Sequence, residues 1–106
     1  MCEQHSFTWE VKFTMTPPEF IDNVKVLHWA YSGDKPFGVL KYSDGTVATE
    51  IFGFAICQYE GKQKVYRFSC DKNWEVEQDS DHDSVEDAMN NIPAQYLGQR
   101  IIWKSA

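Results

Sequence analysis

Apolar and polar residues alternate over residues 7–15, with Phe7, Trp9, Val11, Phe13 and Met15 on one side and Thr8, Glu10, Lys12 and Thr14 on the other. A period of two predicts a half-buried strand. Thr16-Pro17-Pro18-Glu19 then combines a capping residue, a proline suited to a first helical position and a glutamate three residues after the cap. That spacing predicts one short helical turn ending by Asp22-Asn23. From Val24 to Tyr31 the pattern is extended but apolar on both sides, with Val24, Val26, His28 and Ala30 facing one way and Leu27, Trp29 and Tyr31 the other. A two-sided strand of this kind belongs inside a sheet.

After the turn cluster Ser32-Gly33-Asp34-Lys35-Pro36, an extended pattern resumes from Phe37 to Tyr42 and leads into Ser43-Asp44-Gly45. Asp-Gly between two extended runs signals a hairpin, because glycine takes the positive φ the turn requires. The run Thr46 to Tyr59 is long for one strand; Ile51 to Cys57 is apolar on both faces, and Gly53 is expected to mark a bulge. Glu60-Gly61-Lys62-Gln63 forms the next turn and Val65 to Cys70 the next strand, so the three segments read as an antiparallel meander. Trp74 to Glu77 is briefly extended, whereas 78–83 has no apolar anchor and reads as a polar loop. Asp83 with Glu86 has capping-box spacing, ahead of a helical stripe of Val85, Ala88 and Met89. Asn90 to Pro93 ends that helix, Pro93 is placed to open a further turn through Leu97, and Arg100 to Lys104 reads as the last strand.

These elements predict an α+β fold: a twisted antiparallel sheet of about six strands with one C-terminal helix packed on it. The 106 residues are expected to form a single domain, 1–106. One short helix cannot cover both faces of 51–57. Either the sheet curls toward a barrel or a second chain covers it, as in a homodimer.

Composition adds two features. Sixteen aromatic rings, 15% of the chain, are enough to supply a core without disulfides, structural metal or cofactor. Cys2, Cys57 and Cys70 are odd in number and lack C-x-x-C spacing, which points to a reducing compartment. No apolar run approaches the ~18 residues of a membrane span, and Met1 to His5 lacks a basic leader pattern, so the expected setting is cytoplasmic. The second feature is a net charge of −6, which disfavours direct nucleic-acid binding. The charge is local. Glu75, Glu77, Asp79, Asp81, Asp83, Glu86 and Asp87 are seven of the sixteen acids, leaving nine against ten bases elsewhere.

Asp79, Asp81 and Asp83 match the first, third and fifth ligands of a calcium loop, but Ser84 stands where its glycine is needed and Asn90 where its bidentate glutamate is needed. A solvated acidic surface is the simpler reading, and no metal is expected. His28 reads as a buried, hydrogen-bonded core residue, His5 as terminal and His82 as a loop residue. Cys57 or Cys70 with His28 would be the nucleophile candidates, although no nucleophile elbow surrounds either cysteine. Glu10 and Glu50 lie in extended runs without a demonstrable acid–base partner. Trp29, Tyr31, Tyr42, Tyr59 and Tyr66 exceed what the first strand's core needs and are the candidate ligand or interface aromatics.

The segments Phe7-Thr8-Trp9-Glu10-Val11, Val26-Leu27-His28-Trp29-Ala30-Tyr31, Asp44-Gly45 and Ile51-Phe52-Gly53-Phe54 resemble, in that order, a group of short phage-encoded proteins of unknown function. The resemblance covers the first half of the chain and implies a phage or mobile-element origin without implying a chemistry. The sequence as a whole points to a small acidic binding module that acts through protein contacts with a basic partner, rather than to an enzyme. The alternative is a small-molecule binder or enzyme with an aromatic-lined cavity in the curled sheet.

Overall fold

The computed structural model describes residues 16–106, so the alternating run at 7–15 lies outside the described residues. The fold is α+β. β1 (Phe20–Ile21), β2 (Val24–Tyr31), β5 (Gly53–Gln58), β6 (Val65–Cys70), β7 (Val76–His82) and β8 (Lys104–Ser105) form a curled antiparallel sheet in the order β1-β2-β5-β6-β7, with β8 also on β2. β3 (Gly38–Lys41) and β4 (Val47–Ile51) form a separate two-stranded sheet. One short helix, α1 (Val85–Asn90), and a 3-10 turn (Ala94–Tyr96) follow β7.

The helical turn expected at 16–23 is instead a tight hairpin. Phe20 and Ile21 pair with Lys25 and Val24, and Asp22 and Asn23 turn the chain with φ of 51° and 68°. Short Asx side chains tolerate that left-handed pair, and this preference outweighed the capping signal. β2 is internal as expected, flanked by β5 on one side and β1 and β8 on the other. Its simple alternation does not hold, because the register shifts between Val26 and His28. Val26 opposes Cys57 and Trp29 opposes Ala55, so Val24, Val26, Trp29 and Tyr31 join one face, while His28 and Ala30 lie on the other.

The Asp44-Gly45 hairpin forms as expected, with Gly45 at φ 93° and Asp44 accepting from the Thr46 amide at 2.9 Å. It does not extend into a meander with β5. The run 46–59 breaks at Phe52, so β4 pairs with β3 while β5 joins β2 and β6. The meander is β5-β6-β7, because 78–82 is strand and not loop, only Asp83 lying beyond it: Tyr66 opposes Asp81 and Phe68 opposes Asp79. The helix caps one residue later than Asp83, with the Ser84 hydroxyl accepting from the Asp87 amide at 3.0 Å. The expected stripe is present, since Ala88 is fully buried and Val85 and Met89 pack beside it. Of the strand expected at 100–104, only Lys104 pairs, together with Ser105.

β5 is the hub. All five residues Gly53 to Cys57 are buried within the one chain. Phe54 lies on one face, stacked 4.7 Å from Phe37 and tilted against Tyr96 and Trp103. Ile56 shares that face with Val65 and Ala88. Ala55 and Cys57 point the other way, into a cluster with Val24, Val26, Phe68, Cys70 and Trp74. The chain itself thus accounts for the two-sided hydrophobicity.

Gly53 marks a close approach and not a bulge. A Cβ there would sit 2.6 Å from the Trp74 ring. Trp74 takes φ 64°, a costly conformation for a bulky residue, and its buried Nε1 has no hydrogen-bond partner among the described residues. Both costs are offset by burial of the ring, which meets Trp29 edge-on at 6.2 Å and Tyr31 at 5.9 Å. Gly53→Ala should therefore destabilise the fold by about 1–3 kcal/mol in urea unfolding, and by clearly less in a Trp74→Leu background. Equal losses in the two backgrounds would show that the ring is not what the glycine accommodates.

Candidate functional site

β7 is an edge strand made almost entirely of polar residues. What makes it a strand is its ladder to β6, since backbone pairing requires no apolar side chains. Direct opposition places Asp79 and Asp81 on the sheet face of Phe68 and Tyr66, and Gln78, Ser80 and His82 on the face of Ser69, Arg67 and Val65. Among the described residues no strand pairs beyond it. Carboxylates along such an edge also discourage unplanned strand pairing, which is their simplest structural use.

The acidic face meets an aromatic corner. Lys64 Nζ lies 3.1 Å from Asp83 and 3.6 Å from Asp81, and the hydrogen bond to Asp83 is the main reason its ammonium is held above its ordinary value. The pair is exposed, so it orients Lys64 more than it stabilises the fold. Tyr66 packs edge-on against the exposed Tyr59 with centroids 5.6 Å apart. These rings, with Gly61, Lys62, Gln63 and Lys64, line an open groove of about 620 Å³. A second groove of about 500 Å³ lies on the other side of Tyr59, bordered by Phe20, Lys25 and Leu27. The turn between them is braced by Gln58, whose Nε2 donates to the carbonyls of Lys62 at 2.9 Å and Gln63 at 3.1 Å.

Behind β7 the side chains tie the sheet to α1. Buried Arg67 donates from one terminal nitrogen to the carbonyls of Ala88 at 2.8 Å and Asn91 at 3.1 Å. A cation is well placed at a helix C-terminus, where carbonyls lack intrahelical partners. Burial pulls this guanidinium below its ordinary value, yet arginine stays charged at neutral pH. Tyr96 donates its hydroxyl proton to Gln78 Oε1 at 2.6 Å. His82 is held from both sides, with Nε2 2.8 Å from Ser80 Oγ and Nδ1 3.0 Å from Asp87 Oδ2. The polar pattern alone does not disclose this cluster, because Ser80 and His82 share a face only when 78–82 is a strand.

The structure therefore brings together Tyr59, Tyr66, Asp79, Asp81 and Asp83. Glu75, Glu77 and Glu86 are exposed along the same segment, while Asp87 turns toward His82. Trp29 and Tyr31 are half-buried core partners of Trp74 at a different place, and Tyr42 is exposed on the β3–β4 hairpin. Asp79, Asp81 and Asp83 do not form a cation cage; among the described residues no three His, Cys, Asp or Glu are grouped to hold a metal ion. His28 is half-buried and shares the face of Ile56, opposite to Cys57, so the suggested thiol–imidazole pair does not form. Cys70 lies with Cys57 in the same apolar cluster, likewise away from His28. His5, Cys2 and Glu10 lie outside the described residues, and Glu50 is exposed opposite Val39. Among the described residues no helix is long and apolar enough to cross a membrane.

Neither a family model nor a curated protein nor a solved structure matches the chain. Site chemistry therefore rests on geometry.

Burial pushes the Cys57 thiol up to about 12 and raises that of Cys70 as well. A thiol raised in the folded state contributes stability that is complete below the unfolded-state value and is lost as pH rises through the interval between the two. Urea midpoints should thus fall more steeply on the alkaline side for the native chain than for a Cys57→Ala/Cys70→Ala variant. Identical alkaline slopes would contradict the assignment.

Proposed function

We propose that this chain is a binding module that engages a basic protein partner through the Tyr59–Tyr66 corner and the acidic outer face of β7. The observation that carries this reading is the juxtaposition of the exposed Tyr59 ring, packed edge-on against half-buried Tyr66, with Asp79, Asp81 and Asp83. Rings supply contact area at low entropic cost and stack on guanidinium groups, while carboxylates pair with arginine or lysine. Asp79 makes no ion pair among the described residues, and Asp81 and Asp83 share a single lysine. The acids therefore retain most of their charge for a partner. Among the described residues the outer edge of β7 has no strand partner, which further suits an extended basic segment that adds as a strand.

A fluorescein-labelled peptide of alternating Arg and Val provides the probe, with binding read by anisotropy. The native chain should bind it with an affinity that falls as salt rises. Asp79→Asn/Asp81→Asn should weaken binding about tenfold or more and flatten the salt dependence, and Tyr59→Ala should weaken it at all salt concentrations. Failure of the native chain to bind, or equal binding by the charge variant, overturns the reading.

A further inference from the structure

On the opposite face of β7, and independently of partner binding, we propose that Ser80, His82 and Asp87 form a nucleophile–base–carboxylate relay that allows an activated ester or thioester to acylate Ser80 Oγ.

The order of the hydrogen bonds supports this first. An ionised carboxylate can only accept, so the 3.0 Å contact from Asp87 Oδ2 places the ring proton on Nδ1. In the neutral imidazole Nε2 is then the acceptor, and the Ser80 hydroxyl 2.8 Å away donates to it. A hydroxyl that donates to an imidazole, itself donating to a carboxylate, is the arrangement in which a serine loses its proton as it attacks.

The relay is also held in place. Asp87 Oδ1 accepts from Asn91 Nδ2 at 2.7 Å, which keeps the carboxylate from rotating away from the ring. The Asp87 amide is tied to the Ser84 hydroxyl at 3.0 Å, fixing the first turn of α1 against the end of β7. The His82 side chain is only 10% exposed, whereas Ser80 is half-buried on an edge strand. The base is thus largely out of bulk water while the nucleophile remains near the surface.

A substrate also has a place to lie. One side-chain repeat along the strand, about 7 Å from Ser80, Gln78 borders an open groove of about 670 Å³ lined by Val39, Leu40, Lys41 and Gln95. The Tyr96 hydroxyl fixes Gln78, and Val39 and Leu40 offer apolar surface to a short acyl chain.

In the step itself Ser80 Oγ forms a bond to the carbonyl carbon and its proton passes to Nε2. The imidazolium is stabilised by Asp87. The bond from that carbon to the leaving oxygen or sulfur breaks, and the leaving group takes the proton from Nε2. Water then gives a proton to Nε2 as its oxygen bonds to the acyl carbon, the bond from that carbon to Oγ breaks, and Oγ takes the proton back from Nε2 as the acid leaves. Asp87 is a positioning residue for His82.

A fluorophosphonate probe tests the relay on the full chain: the new O–P bond replaces P–F, fluoride leaves, and the proton reaches solvent through His82. Peptide mass spectrometry should locate the adduct on Ser80. It should form about 100-fold or more faster than on the exposed hydroxyl of Ser43 or on Ser80 in the urea-unfolded chain. Ser80→Ala should abolish it, and Asp87→Asn should slow it. His82→Ala should slow it about 100-fold, with added imidazole restoring part of the rate, a rescue that a merely structural histidine would not show. Labelling of native Ser80 no faster than Ser43 or the unfolded chain overturns the proposal whether or not the variants fold, and so does undiminished labelling of a folded His82→Ala chain.

Discussion

The rest of the structure depends on the burial of β5 on both faces. Five successive residues from Gly53 to Cys57 are removed from water, and each side of the strand must therefore be covered by something else. On the Phe54–Ile56 side the cover is assembled from parts distant in sequence: Phe37 ahead of the small hairpin, Ala88 of the helix, Tyr96 of the 3-10 turn and Trp103 near the C-terminus. On the Ala55–Cys57 side Trp74 folds back over the glycine. A buried aromatic contributes about 1.5–3 kcal/mol by removal from water, comparable to the cost of a left-handed backbone and an unpaired indole N–H. The strained tryptophan is tolerated because the hub strand requires that cover.

The same constraint explains why β7 can be polar. With the core satisfied by β2, β5 and β6, the edge strand contributes backbone hydrogen bonds and little apolar area. Its side chains are then free to be chosen for other reasons. One face carries carboxylates beside Tyr66, and the other carries Gln78, Ser80 and His82, which reach Tyr96 and Asp87. Alternation along one strand keeps these two chemistries apart by the thickness of the sheet, so changes to the acids leave the hydrogen-bonded face intact.

What was legible from sequence follows local physics. The bounds of β2, the Asp44-Gly45 turn, the apolar stripe of α1 and the turn after Pro93 all follow from the period of side chains or from the φ a residue accepts. What was not legible depends on partners far along the chain. The shift between Val26 and His28 is set against β5 and reverses the faces of everything after it. Residues 78–82 show no apolar period because β6, not burial, makes them a strand. Read as a loop, the segment gives Ser80 and His82 no common face. Tyr59 and Tyr66 were recognisable as surplus rings, but their meeting with Asp81 depends on the β6–β7 register.

Arg67 and Lys64 show how little net charge conveys about such a chain. Arg67 belongs to β6 and Lys64 immediately precedes that strand, three residues away, yet one lies against helix carbonyls under the sheet and the other reaches into solvent between two aspartates. The buried cation donates from one terminal nitrogen to helix carbonyls, with its Nε unpartnered among the described residues, and fixes α1, and with it Asp87, against the sheet. The exposed cation screens one end of the acidic row and leaves Asp79 to the solvent. The excess of six negative charges is thus neither spread over the surface nor concentrated on one point. Of the seven clustered acids, Glu77, Asp79 and Asp81 follow one strand at a pleat repeat of about 7 Å, Glu75 and Asp83 flank it, and Glu86 and Asp87 belong to the helix.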